Sequence, residues 1–399
     1  MKLSEEDILF IEDHKNDDPV RLLLSESRYA DKNIPFLVMQ IVARRQIKDK
    51  LPLWYANNRL IFPSRLSAEQ CSSELTARYK QLLVATDWTV CDLTGGLGVD
   101  SFFFSLKVKR LIYIERYAEY CEAAQNNFCV LSSGHIEIVN ANAIDYLDQL
   151  PEVDAFYVDP ARRGESNKRL FALSECEPDL LSLLPTLWQH ASCVITKLSP
   201  MADIRQTLEL LPDTVAVHVL SVKNECKELL FVLQHDSKTV DPDIHCVNFL
   251  SDGSMETLRF TLSEEQNAPL LLAREVGEYL YEPNSSILKG GAFKQTAVRM
   301  NVSKLHVSSH LYTSSHLVRD FPGRIFQVRE ILPFSSRLCK TLHVSVPQAN
   351  ITVRNFPLSV NELRKRTKIA EGGEIYFFAT TLCHDEKVII VCRKVSQEH

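Results

Sequence analysis

No stretch of this 399-residue sequence comes near the ~18 consecutive apolar residues that a membrane-spanning helix needs. Seven acids among the first 18 residues (Glu5, Glu6, Asp7, Glu12, Asp13, Asp17 and Asp18) are wrong for a signal or transit segment. CxxC pairs are absent too. The eleven cysteines are scattered singly, and an odd count of that kind suits reduced, buried thiols better than a disulfide framework or a structural zinc site. The expectation is a soluble, unexported, cytoplasmic protein without a metal. Internal repeats and low-complexity tracts are missing as well. What remains is a globular balance of 45% hydrophobic and 24% charged residues, in a chain long enough for two or three domains.

The net charge of −6 conceals an asymmetry. From Tyr281 onward, 17 Lys or Arg stand against 9 Asp or Glu, a balance of +8, while the rest of the chain carries −14. A basic piece joined to an acidic one fits a polyanion-binding domain attached to an enzymatic domain. An evenly solvated basic surface would give the same count.

Residues 1–87 show helical periodicity, clearest over 34–47. The pattern then changes to short β-branched or apolar runs at 89–93, 111–114, 135–139, 155–158 and 193–196, separated by helical stretches. Alternation of this kind predicts a parallel sheet covered by helices. Runs at 215–222 and 228–233 are linked too tightly for a crossover, so they predict an antiparallel pair and a reversed last strand. Asp241-Pro242 marks a boundary, Asp252-Gly253 a hairpin, and Asn284 or Ser285 the cap of a helix over 285–300. The last 75 residues read strand (324–332), strand (351–354), helix (359–370), strand (374–382) and strand (387–394), a small α+β domain.

The strongest chemical signal is the run from Val90 to Asp100, in which a buried strand breaks into Thr94, Gly95, Gly96 and Gly98 and then into a helix. Such a turn brings backbone N–H groups beside a ligand. The spacing is not G-x-G-x-x-G and no Lys-Ser/Thr follows, which disfavours a dinucleotide and excludes a phosphate loop. Asp92 and Asp100 flank the glycines and would suit a cation rather than a pyrophosphate. Glu115, at the second strand's end, stands where a carboxylate takes ribose hydroxyls.

These residues resemble motif I and the acidic second-strand tip of class I S-adenosylmethionine-dependent methyltransferases. Thr94 departs from the family's usual first glycine. The resemblance implies a Rossmann-like sheet, S-adenosylmethionine as cofactor, and cofactor contacts from Asp92, Thr94, Gly95, Gly96, Gly98, Asp100, Glu115, Asn142, Ala143 and Asp159. Asn142 replaces the acid usually offered to the adenine amino group, and its side-chain oxygen can still accept that bond. The fourth strand delivers Asp159-Pro160-Ala161-Arg162-Arg163 to the sheet edge where substrate and cofactor meet. Asp159, Pro160, Arg162 and Lys197 are the candidate catalytic residues. RNA uridine-C5 methyltransferases carry a similar corner but need a cysteine nucleophile near 198, where this chain has Leu198. Cys193 lies within a strand and reads as core, so direct transfer to nitrogen or oxygen is expected. Ser72 to Glu74 is either simple capping or a closure over the methionine end of the cofactor.

Taken whole, the chain is similar to bacterial class I methyltransferase-like proteins with a ferredoxin-like segment and a THUMP-like C-terminal domain. That similarity implies an N-terminal helical region (1–87), a methyltransferase domain (88–240), a hairpin and ferredoxin-like segment (241–322) and a THUMP-like domain (323–399), with structured RNA, tRNA or rRNA, as substrate. Two alternatives remain open: methylation of a small molecule or a protein, and cofactor-dependent RNA binding without turnover.

Overall fold

A computed structural model describes residues 2–149, 152–162, 173 and 176–395, and the side chains of Asp148 and Arg162 are not among what it describes. The chain divides into two compact units, Met1–Val215 with Leu230–Thr239 and Ala216–Leu229 with Val240–His399.

The first unit opens with helices α1 (Glu5–Asp13), α2 (Pro19–Leu24), α3 (Ile34–Ile47), α4 (Pro52–Tyr55), α5 (Arg65–Gln70) and α6 (Glu74–Lys80). Side-chain caps from Ser4, Asp18, Asn33, Ser64 and Ser73 start five of them, satisfying backbone N–H groups that a first helical turn leaves unpaired. Fully buried Trp54 packs edge-on against Phe102 at 6.1 Å, and α3 to α6 share one hydrophobic core with the sheet that follows, while Phe10, Ile11 and Leu22 of α1 and α2 pack with α3 in a core of their own.

That sheet is built from β1 (Thr89–Asp92), β2 (Arg110–Glu115), β3 (Ile136–Asn140), β4 (Ala155–Val158), β7 (Cys193–Leu198) and the second half of β9 (Glu225–Gln234). The order is β9-β7-β4-β1-β2-β3. Pairs β1–β2, β1–β4, β2–β3 and β4–β7 are parallel, so all five strands deliver their carboxyl ends to one edge. β4 is apolar and buried throughout, as expected of a strand covered on both faces. Helices α7 (Val99–Ser105), α8 (Ala118–Val130), α9 (Ala143–Tyr146), α10 (Leu180–Leu187) and α11 (Ile204–Leu210) connect the strands, and a short antiparallel pair, β5 (Ala161–Arg162) with β6 (Cys176–Glu177), stands beyond β4.

The division between units falls inside the hairpin of β8 (Thr214–Val222) and β9. In the second unit β8 is no edge strand: β10 (Asp243–Phe249) pairs with it in parallel, and β11 (Met255–Thr261) pairs with β10 across the Gly253 turn. After α12 (Leu262–Asn267) come β12 (Tyr279–Pro283), α13 (Ser285–Gly290), α14 (Phe293–Met300), β13 (Ser303–Lys304), β14 (Tyr312–Ser314), β15 (Gly323–Pro333), α15 (Ser336–Ser345), β16 (Asn350–Arg354), α16 (Val360–Thr367), β17 (Ile375–Thr381) and β18 (Lys387–Lys394). The strands form a seven-stranded sheet, β13-β14-β12-β15-β18-β17-β16, antiparallel except for β16–β17. The helix expected over 285–300 is two, because Gly291 at φ +82° ends the first. Among the described residues no helix is long and apolar enough to cross a membrane.

Candidate active site

β1 ends at Asp92, and the chain turns through Thr94 to Gly98 into α7. Gly96 and Gly98 take φ of +54° and +84°, values that favour glycine. Packing beneath the turn explains two of the three glycines. A Cβ on Gly95 would stand 2.2 Å from the Tyr113 ring, and one on Gly98 would stand 2.7 Å from the Phe128 ring. Gly96 is different, since a Cβ there would meet nothing nearer than the Thr94 carbonyl at 3.7 Å. Tyr113 ties the turn down by donating its hydroxyl to the Gly96 carbonyl at 2.6 Å.

Glu115 ends β2 beside this turn. Its Oε2 accepts the Gly96 N–H and its Oε1 the Tyr117 N–H, each at 2.9 Å. Each carboxylate oxygen keeps a further lone pair. Asn142 caps α9, its side-chain oxygen accepting from the Ile144 N–H at 3.1 Å, and Ala143 is buried behind it.

The two aspartates that flank the glycines differ from each other in their surroundings. Asp92 is buried; its Oδ2 accepts from Ser101 Oγ at 2.5 Å and its Oδ1 from the Thr94 N–H at 3.0 Å. Burial pushes its pKa up to about 7, against the pull of those hydrogen bonds. Asp100 accepts from the Lys80 ammonium at 2.9 Å, from Ser72 Oγ at 2.7 Å and from the Tyr157 hydroxyl at 2.8 Å. Burial alone would raise Asp100, but the charges of Lys80 and Lys197 and these bonds outweigh it and hold the carboxyl below the usual range. Asp92 and Asp100, read from the sequence as suiting a cation, take these hydrogen bonds from the protein itself, and the cation that Asp100 meets is the Lys80 ammonium. No cluster of three or more metal-ligating side chains occurs among the described residues.

At the end of β4, Asp159 forms an ion pair with Lys197 of β7, so two of the four candidate catalytic side chains meet. The Asp159 N–H donates to Thr94 Oγ1 at 2.7 Å. Pro160 follows, half-buried, and the side chain of Arg162 and all of Arg163 lie outside the described residues. Cys193 is buried in the sheet's core, where burial pushes its thiol up to about 12, and Leu198 is buried too.

A cavity of about 310 Å³ opens along this edge, within the size range of small-molecule sites. The glycine turn, Glu115, Asn142, Ala143 and Asp159 line it, together with Ser67, Gln70 and Ser72 from α5 and the segment after it.

Comparison with known proteins gives the same outline. Residues 279–322 match a ferredoxin-like domain family and residues 323–394 a THUMP domain-like family. The crystal structure of a candidate methyltransferase from Porphyromonas gingivalis W83 is 37% identical, with a TM-score of 0.88 over 99% of this chain and 100% of that one. This chain belongs to the same family, class I methyltransferases with a THUMP-like C-terminal domain. An uncharacterized RNA methyltransferase from Lactobacillus johnsonii is 26% identical over 156 residues, 38% of this chain. The chain spans only about a third, 34%, of that relative's length.

Several residues of this methyltransferase site escaped sequence reading. Ser67 and Gln70 line the cavity from a helix remote in sequence, and Tyr117 and Ile144, 47% exposed each, flank its Glu115–Asn142 side. Lys80, with a side chain 0% exposed, could have been found: it stands with Thr76 and Ala77 on the buried stripe of α6, where an unpartnered lysine would be very costly. Within Ser72 to Glu74 the capping alternative is met by one residue. Ser73 is the helix cap, while Ser72 lines the cavity and donates to Asp100.

Proposed function

We propose that the protein is an S-adenosylmethionine-dependent methyltransferase acting on a base of tRNA or rRNA, with a nitrogen acceptor favoured and residues 88–240 as the transfer domain. The observation that carries the reading is Glu115, a carboxylate fixed by the backbone of the glycine turn and still able to accept from a pair of vicinal hydroxyls. The residues present fit the cofactor: Glu115 for the ribose, Asn142 and exposed Tyr117 and Ile144 for the adenine, Gly96 for close backbone approach, and Ser67 and Gln70 toward the methionine end. When bound, S-adenosylmethionine supplies a methyl group on a sulfonium, an electrophile that needs only an aligned lone pair.

Alignment is then the work of Asp159. A carboxylate held by Lys197 through one oxygen keeps the other for an exocyclic N–H, orienting the nitrogen lone pair toward the transferred methyl. Lys197 is only 14% exposed and Asp159 34%, so the acceptor reaches Asp159 first. No thiolate is needed, and Cys193 is buried too deeply to supply one. The +8 balance from Tyr281 onward supports RNA as the polyanionic substrate.

Nucleoside mass spectrometry of tRNA and rRNA from cells with and without the protein tests this reading. One methylated nucleoside should disappear with the protein, return with the wild-type chain and stay absent with Asp159→Ala. Unchanged nucleoside profiles, with methyl transfer to a small molecule or protein instead, would move the assignment to the other substrate class.

A further inference from the structure

We infer that Glu282 holds Arg324 and Arg354 as a paired guanidinium receptor for a backbone phosphate of the RNA, a site in the second unit that rests on the RNA reading above. Glu282, on β12, has a side chain only 3% exposed. Arg324 of β15 approaches its Oε2 through Nε at 2.8 Å and through Nη2, and Arg354 of β16 approaches its Oε1 through Nε at 3.2 Å and Nη2 at 3.0 Å. The two arginines thus lie against opposite oxygens of one carboxylate. Their side chains remain 36% and 38% exposed.

The donor count favours a receptor over a mere structural tie. A guanidinium has five N–H donors, and each of these spends its Nε–H and one Nη2–H on Glu282. Neither makes another hydrogen bond among the described residues, and none of their nitrogens is buried without a partner. The unspent donors of both therefore reach solvent. One guanidinium would neutralise the buried carboxylate; the second leaves a net charge of +1 at the surface.

The neighbouring His310 adds no charge to the pair. His310 is held neutral, its pKa lowered to about 4 by burial first and then by the charges of Lys304 and Arg354. Lys304 is itself buried, with its ammonium donating to the Val307 carbonyl at 2.8 Å. The geometry is also rigid. A Cβ at Gly323 would sit 2.2 Å from the Glu282 carbonyl, so β15 starts hard against β12 and fixes the residue that follows, Arg324. Two pre-positioned planar forks with outward donors match the oxygens of a phosphate, for which arginine is the preferred ligand.

The test uses the full chain, with bulk tRNA and ribosomal RNA as probes over a range of salt concentrations. Wild-type protein should bind, and the Arg324→Ala/Arg354→Ala double variant should bind about tenfold more weakly or worse, with the salt slope flatter by about 0.7 to 0.9 for each phosphate that is no longer neutralised. S-adenosylhomocysteine binding by the same variant, measured by calorimetry, should be unchanged. Should the double variant not fold, phenylglyoxal modification of the wild-type protein, read by peptide mass spectrometry, replaces it: RNA should shield Arg324 and Arg354. A folded double variant with wild-type affinity and slope, or arginines modified equally with and without bound RNA, overturns the site and leaves the RNA reading intact. Wild-type protein that binds neither RNA overturns both.

Discussion

The hydroxyl of Thr94 accepts the backbone N–H of Asp159 at 2.7 Å, joining the glycine turn after β1 to the corner after β4. Thr94 occupies the place where the family usually has a glycine, and a glycine could not make this bond. The same hydroxyl lies 3.4 Å from Asp92 Oδ1, so it can donate there while accepting from Asp159. The turn expected to hold cofactor and the corner expected to hold the acceptor are thereby registered to each other. Thr94→Val keeps the shape and removes the acceptor. It should slow methyl transfer at least about tenfold, since an unpaired N–H in a part-buried place costs about 1 to 3 kcal/mol and frees the corner to shift. S-adenosylhomocysteine affinity by calorimetry should stay within a few fold, and Thr94→Ser should restore the rate. A Thr94→Val enzyme with wild-type single-turnover rates would show that the corner holds itself.

Glu115 has two tasks that can be separated. Glu115→Ala removes the expected charge-assisted contact to the ribose together with the acceptor for the Gly96 and Tyr117 N–H groups, and should weaken S-adenosylmethionine binding by about 1.5 to 3 kcal/mol. Glu115→Gln keeps one oxygen acceptor and should fall between wild type and Ala. NAD should bind to none of the three. Calorimetry that finds equal affinities across the series would remove Glu115 from the cofactor site.

The strands of the first unit were legible because parallel strands buried on both faces appear as short continuous apolar runs, as 111–114 and 155–158 do. Glu115 and Asp159 could be placed for the same reason, since each ends such a run. The fused β10–β11 pair was not legible as part of the first hairpin's sheet, because the parallel register of β10 on β8 leaves no local signal. Helix α15 was missed. It is a ten-residue helix in which only Cys339 and Leu342 are buried, too weak a stripe to stand out between Pro333 and Pro347. The Lys80–Asp100 pair joins helices 20 residues apart, and spacing alone cannot show a contact made by packing α6 on α7.

Asp92 gives the protein a pH dependence of definite sign. Its folded pKa of about 7 lies above the ordinary 3.8, so between those values the folded state keeps a proton that the unfolded chain has released. The stability it contributes is therefore lost as pH rises from about 4 to 7. Asp100, held low, has the opposite sign, and its contribution disappears only as pH falls below the ordinary carboxylate range. Between pH 5 and 8 Asp92 acts without it. Asp92→Asn preserves an acceptor for the Thr94 N–H and offers an N–H to Ser101. It should gain stability over wild type on going from pH 5 to pH 8, by on the order of 2 to 4 kcal/mol in denaturant melts. Parallel wild-type and variant curves would mean that Asp92 is ionised at both ends.

The basic end of α16 divides into one structural arginine and a set of exposed cations. Arg364 is turned inward, its guanidinium donating to the Ile369 and Ala349 carbonyls at 3.3 Å each, whereas Lys365, Arg366 and Lys368 are exposed. Lys368 ends the helix in the left-handed conformation at φ +59°, and Arg393 and Lys394 are exposed at the end of β18. Arg364→Ala should thus cost stability, about 1 to 3 kcal/mol for the two carbonyls left behind, with little effect on RNA affinity per folded molecule. Replacing Lys365, Arg366 and Lys368 together by Gln should do the reverse. The melting temperature should hardly move, because exposed charges contribute little to folding. RNA binding should weaken without regard to sequence, and the salt slope should flatten by about 0.7 to 0.9 for each phosphate left without its cation. Salt titrations of both variants against one RNA decide the matter, and a triple variant with the wild-type slope would leave these cations as solvated surface.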